Sequence, residues 1–205
     1  MQGLMMDVPL TITSIMEHAE RVHGAQEIVS ITRDNPRHRY TYADSFARVR
    51  QLANAMDAWG LSRSDRIATL AWNDYRHFET YYASACAGYV CHTINPRLFP
   101  EQIVYIINHA EDQYVFLDPD FWPLVEQVAD QCTGVKGWVV MTTAEHMPET
   151  SVANVLCYET LLAAQSDRYE WPAIDENQAC ALCYTSGTTG NPKGVVYHHR
   201  GAATN

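Results

Sequence analysis

Apolar residues recur at helical spacing early in the chain. Ile12, Ile15, Met16, Ala19 and Val22 fall on one side of a predicted helix over Thr13–His23. Ser14 and Glu17 stand at capping-box spacing near its start, and Gly24 is placed to end it. Glu27–Thr32 and His38–Tyr42 then read as two strands around the turn-rich Arg33-Asp34-Asn35-Pro36, which predicts a hairpin. A long amphipathic helix follows over Ala43–Trp59, its apolar stripe formed by Phe46, Val49, Leu52, Ala53, Met56 and Trp59, with Gly60 at the C-terminal cap position.

From there the period alternates. Strands are predicted at Arg66–Ala71, Tyr89–Ile94, Tyr114–Leu117 and Gly137–Met141, and helices at Asp74–Ala87, Pro100–Ala110 and Asp120–Gln131. Repeated strand-helix-strand units with short connections favour right-handed crossovers, so the fold class is α/β, a mostly parallel sheet with helices on both faces. Residues 142–177 are less regular and read as a surface connection with one short helix near Tyr158–Ala164. The apolar strand Ala179–Tyr184 leads into a glycine-rich segment, and Val195–His198 reads as another strand. The sequence stops seven residues after this strand, at Asn205, so the sheet begun in it is expected to need partner strands from outside residues 1–205.

Composition narrows the class. With 47% hydrophobic and 19% charged residues in 205, the chain has material for one sizeable core and no mark of disorder. No apolar run approaches the roughly 20 residues that span a bilayer, and Met1–Leu10 lacks a basic segment followed by an apolar one. A soluble, cytoplasmic protein with reduced thiols is the expectation for its six scattered cysteines. Fourteen basic residues against 24 acidic ones give a net charge of −10, which argues against nucleic acid as a partner. An acidic protein still binds a polyphosphate when local N–H groups, a lysine and a metal ion outweigh the distant field.

Such a site is legible between Tyr184 and Val195, where glycine, threonine and serine are dense and bulky apolar side chains are missing. Gly187, Gly190 and Gly194 permit positive φ and close approach of backbone N–H groups to an anion. Ser186, Thr188 and Thr189 offer hydroxyl donors, Lys193 a positive charge, and Pro192 fixes φ just ahead of that lysine. This is not the ordinary P-loop, which has four residues between its two glycines and leads into a helix. Here two residues separate Gly187 from Gly190, and Val195-Val196 favours a strand beyond. The loop is therefore expected to hold phosphate without a helix dipole and to be able to open and close over it. A flexible hairpin tip is the bland alternative.

The string Thr185 to Gly194 matches the T-S-G-T-T-G-x-P-K-G signature and is identified as belonging to the AMP-forming acyl-adenylate superfamily. Leu70-Ala71-Trp72-Asn73-Asp74-Tyr75-Arg76-His77-Phe78-Glu79, His92-Thr93-Ile94-Asn95-Pro96-Arg97-Leu98 and Ile107-Asn108-His109-Ala110-Glu111-Asp112 further resemble medium- and long-chain fatty-acyl-CoA synthetases, and the resemblance runs from about Met5 to Gly201. It implies ATP, Mg²⁺, coenzyme A and a fatty acid as ligands, and a reaction that first makes acyl-AMP and then acyl-CoA. It implies that residues 1–205 are the N-terminal portion of the adenylation domain, without the lysine-bearing C-terminal domain, and inactive alone. By the same resemblance, Thr185, Ser186, Gly187, Thr188, Thr189, Gly190 and Lys193 hold the ATP phosphates, Thr185 also contacts Mg²⁺, and Lys193 is the catalytic group. Transfer to a carrier-protein thiol, or a non-catalytic nucleotide-binding or dimer-forming role, are the alternatives, and a homodimer is left open.

Other tempting residues read more plainly. Cys180 and Cys183 form a C-x-x-C without a second pair at zinc spacing; a buried structural role is favoured, with alternation placing them on opposite faces. His198 and His199 read as structural or solvated more than functional, while Arg97 is open between phosphate contact, loop fixing and subunit contact. Tyr75, Tyr81, Tyr82 and Tyr89 read as helix-to-sheet packing, and His18, His23 and His109 are assigned no chemistry.

Overall fold

The computed structural model describes residues 1, 3–5, 7–185 and 190–204. Helix α1 (Ile12–His23) starts where the extended Thr11 turns its hydroxyl onto the N–H of Ser14 at 3.2 Å. The expected Ser14/Glu17 box does not form, because Ser14 spends its hydroxyl on the Thr11 carbonyl at 2.7 Å. Gly24 ends α1 in the right-handed region, and its need for glycine is steric: an added Cβ would lie 2.5 Å from the Glu20 carbonyl oxygen. Strands β1 (Glu27–Ser30) and β2 (His38–Thr41) form the expected hairpin, antiparallel with Ile28 opposite Tyr40. Thr41 and Asp44 cap helix α2 (Tyr42–Asp57) reciprocally, and Gly60 stands beyond it with φ of 67°.

The main sheet contains β3 (Arg66–Leu70), β4 (Val90–Thr93), β5 (Asp112–Leu117), β6 (Gly137–Val140), β7 (Val155–Cys157), β8 (Ala179–Thr185) and β9 (Lys193–His198). Their order is β7-β6-β5-β3-β4-β8-β9, and every neighbouring pair is parallel except β8 and β9. Helices α3 (Tyr75–Cys86), α4 (Pro100–Ala110), α5 (Trp122–Val128), α6 (Tyr158–Ala163) and α7 (His199–Thr204) complete the described α-helices. Ile67 of β3 and Phe116 of β5 face a core built with α1, α2, α3 and α6. Their neighbours Ala68 and Leu117 face a second core with Ile103, Ile106 and Ile107 of α4 and Val125 of α5. Both sheet faces are thus covered, as the near-continuous apolar strands require.

Three elements depart from expectation. Asp120–Gln131 is not one helix but a 3-10 turn at Pro119–Phe121, then α5, then a second turn at Ala129–Gln131, because Pro123 suits only the first turn of a helix. The connection 142–177 contributes β7, a three-residue edge strand too short and half-buried to carry a pattern. Helix α7 follows β9 unannounced.

The strand order sets the geography. The chain passes from β3 out to β4, then back past β3 to β5 and on to β6 and β7. This reversal opens a crevice between the carboxyl ends of β3 and β5, the position where open α/β sheets bind ligands.

Candidate active site

The glycine segment springs from that carboxyl edge, because β8 runs parallel to β4 with Thr93 opposite Cys183. On the antiparallel β8–β9 ladder Tyr184 faces Gly194 and Thr185 faces Lys193, so both ends of the loop are held side by side. Inside β8 Cys180, Ala181 and Leu182 are buried, whereas Thr185 and Lys193 are exposed. Gly190 adopts φ of 100°, a conformation natural only to glycine, and Pro192 is buried. Strand β9 begins at Lys193 and not at Val195, so the loop re-enters a sheet without any helix N-terminus, as its spacing requires. Ser186, Gly187, Thr188 and Thr189, predicted to contact phosphate, lie outside the described residues.

Among the described residues no group of three or more His, Cys, Asp or Glu side chains can hold a metal. Mg²⁺ bound to a nucleotide takes most of its ligands from phosphates and water, and the exposed Thr185 hydroxyl would offer such an ion one protein oxygen.

At the β3/β5 crevice, a cavity of about 710 Å³ is lined by Trp72, Asp74, Asp118 and Thr142 with Arg33 and Asp34 of the hairpin loop. The Trp72 N–H donates to Asp118 Oδ2 at 2.5 Å, and burial pushes the Asp118 carboxyl up to about 7, where it can either give or accept a proton. Asp34 is the opposite case. Burial works to raise it, but hydrogen bonds from Arg76 and Thr32 hold it down at about 2.

Behind the cavity lies a network that the sequence reading did not identify. Arg48 of α2 binds Glu79 of α3 through Nε at 2.8 Å and Glu159 of α6 through Nη1 at 3.0 Å. Arg76 binds the same Glu159 at 2.7 Å and Asp34 at 2.8 Å. Glu79 also accepts from the hydroxyls of Tyr40 and Tyr158, at 3.0 and 2.7 Å. Burial raises the Glu79 carboxyl, with the Arg48 guanidinium acting against it. The ion pairs tie hairpin, α2, α3 and α6 together, and Asp74 caps α3 through the N–H groups of Arg76 and His77. The available signal was Arg76, Glu79 and Thr80, a charged and polar stripe of α3 that is buried where apolar residues are expected.

The remaining candidates fall into place. Tyr75, read as packing, stacks on His38 with ring centroids 3.6 Å apart and donates to Glu159 at 3.2 Å. His199 is buried and its Nδ1 accepts from the Ile12 N–H at 3.2 Å; His198 Nδ1 accepts from the Gly201 N–H at 2.7 Å. Each ring thus meets a backbone N–H, His199 in the interior and His198 at the surface. Arg97 is exposed on the loop after β4, its backbone N–H donating to Asn95 Oδ1 at 3.0 Å. Cys180 and Cys183 do not lie on opposite faces. The ladder register shifts between Ala179 and Ala181, so Cys180 and Ala181 both join the α3-side core, and Cys183 follows Ala181 by two residues onto that face. All six cysteines are free thiols.

Comparison with known proteins agrees with this arrangement. The chain is 50% identical over 200 residues to the 3-methylmercaptopropionyl-CoA ligase of Ruegeria lacuscaerulensis, covering 98% of this chain and 37% of that protein. It is 49% identical to the medium-chain-fatty-acid–CoA ligase of Ectopseudomonas oleovorans over the same shares, so it spans about 37% of the length of these relatives. The crystal structure of an anthranilate CoA ligase in complex with anthranoyl-AMP superposes with a TM-score of 0.81 at 21% identity, covering 95% of this chain and 36% of that one, a likeness of fold. The family model described as AMP-binding enzyme matches residues 16–205. With its glycine loop set on the carboxyl edge of a mostly parallel sheet, the chain belongs to the AMP-binding enzyme family.

Proposed function

We propose that this chain supplies the phosphate-gripping part of an acid–thiol ligase, which joins a fatty acid to coenzyme A at the expense of ATP. The observation that carries the reading is the loop base, where Thr185 and Lys193 stand opposite each other at the carboxyl edge of the sheet. A carboxylate is a poor acyl donor because its leaving group would be oxide. In the first step a carboxylate oxygen attacks the α-phosphorus of ATP, the bond to the β-phosphate oxygen breaks, and pyrophosphate leaves with the electron pair. In the second, a coenzyme A thiolate attacks the acyl carbon and AMP departs. Lys193 and the loop N–H groups stabilise charge gathering on the leaving pyrophosphate, and Thr185 contributes to holding Mg²⁺ on the phosphates.

The acyl group is an aliphatic one, a medium-chain fatty acid or a short thioether acid, the acids named for the two relatives above. Among the described residues no helix is long and apolar enough to cross a membrane. Six free thiols suit a reducing compartment, and the cytoplasm is the proposed location. The test is thioester formation by the full-length protein, supplied with ATP, octanoate or 3-methylmercaptopropionate, and either coenzyme A or a phosphopantetheinylated carrier protein. Acyl-CoA as the main product supports the reading. Acylation of the carrier protein alone would replace it with an acyl-AMP ligase.

A further inference from the structure

Tyr184 is the residue immediately before the loop, and its surroundings are built from four separate elements. Its hydroxyl and His109 Nδ1 of α4 are hydrogen-bonded at 2.6 Å. Its ring lies across β9 at Gly194, where an added Cβ would come within 3.3 Å of both Tyr184 Cζ and Leu182 Cδ1. On its inner side the ring centroid is 5.2 Å from that of His92 of β4. His92 is fully buried and held by both carboxylate oxygens of Asp112 of β5, at 2.8 and 2.9 Å. His109 in turn stacks on Tyr105 with centroids 5.2 Å apart.

A tyrosine that served packing alone would need no polar anchor, and a half-buried one could turn its hydroxyl to water. Here the hydroxyl is committed to a helix on the second core, while the ring spans the two strands that carry the loop. Tyr184 faces Gly194, and the next rung is Thr185 facing Lys193. Whatever fixes the first rung fixes the separation and twist of the second, because successive rungs share one rigid ladder. From this we infer that Tyr184, anchored by His109, is a positioning residue that sets the phosphate-holding geometry of Thr185 and Lys193. The inference rests on the ligase reading given above.

The role separates from plain stabilisation by which substrate constant moves. In acid-dependent ATP–pyrophosphate exchange by the full-length protein, Tyr184→Phe and His109→Phe are each expected to raise KM for ATP roughly three- to tenfold, the weight of one hydrogen bond. KM for the carboxylic acid is expected to stay within about twofold, because the loop holds phosphate and not the acid. The double variant is expected to match either single one, since both break the same bond. His109→Gln, which retains a polar group, is expected to restore most of the affinity for ATP. Unchanged KM for ATP in both Phe variants, equal loss toward acid and ATP, or multiplying effects in the double variant would each overturn the positioning role while leaving the ligase reading intact. Absence of exchange by the unsubstituted protein with every acid would remove both.

Discussion

Thr185 and Lys193 are partners across the last described rung of the β8–β9 ladder, so the loop starts and ends at one point of the sheet edge. Neither side chain is buried, and neither contributes to either core. Replacing Lys193 with Met in the full-length protein is therefore expected to leave the thermal midpoint unchanged. The adenylation rate should fall by a factor on the order of 100, as when one preorganised donor to a developing charge is removed. Circular dichroism melting beside ATP–pyrophosphate exchange measures both, and a large drop in midpoint would mean that Lys193 is structural.

Arg48 and Glu79 give the strongest stability prediction. Arg48→Met leaves a fully buried carboxyl without its cation and is expected to cost about 3–5 kcal/mol, read from the urea midpoint. Exchanging the pair together, Arg48→Met with Glu79→Leu, removes both charges and is expected to recover part of that loss. If the double variant proves less stable than Arg48→Met, the pair's neighbours Tyr158 and Glu159 carry more of the network than the geometry assigns.

Asp118 makes stability depend on pH near neutrality. Its folded value of about 7 lies above the ordinary carboxyl value of 3.8, so the native state holds the proton more tightly. The resulting stability is complete below about pH 4 and is lost as pH rises through 7. Asp118→Asn keeps an oxygen for the Trp72 N–H. It is expected to match the unsubstituted protein at pH 4 and to exceed it by about 2–4 kcal/mol at pH 8. Asp34 works in the other direction: held at about 2, it contributes above its ordinary 3.8 and loses that contribution as pH falls toward 2. Denaturation curves across pH 3–8 on Asp118→Asn and the unsubstituted protein measure the difference.

Gly137 tests the packing of the sheet. A Cβ there would sit 2.7 Å from Tyr114 Cε1 and 3.3 Å from the Asn154 carbonyl oxygen. The Tyr114 ring cannot retreat freely because it is stacked on Trp59 with centroids 3.9 Å apart. Gly137→Ala is expected to destabilise by about 1–3 kcal/mol without changing KM for any substrate, since the residue begins β6 at the end far from the loop.

The parts of this molecule that were legible in its sequence are those written in local pattern. Phe46, Val49, Leu52 and Met56 mark one face of α2 and are all fully buried. The glycine string marks the connection between β8 and β9, whose flanking rungs Tyr184/Gly194 and Thr185/Lys193 close it at the sheet edge. What stayed hidden depends on partners remote in sequence. Arg48 and Glu159 are 111 residues apart, and nothing in the neighbourhood of either names the other. Cys180 illustrates a subtler failure: period-two alternation assigns its face wrongly because one bulge, set by pairing with β9, shifts the count. Strand order belongs to the same class. Alternating strands and helices imply a parallel sheet, but not that β5 returns past β3 to create the crevice.

Acid-dependent exchange of labelled pyrophosphate into ATP, by the full-length protein with Mg²⁺, tests the central claim most directly. Exchange that requires octanoate or 3-methylmercaptopropionate and that collapses on Lys193→Met is the predicted result. Exchange with none of the aliphatic acids offered, or exchange indifferent to Lys193, would contradict it.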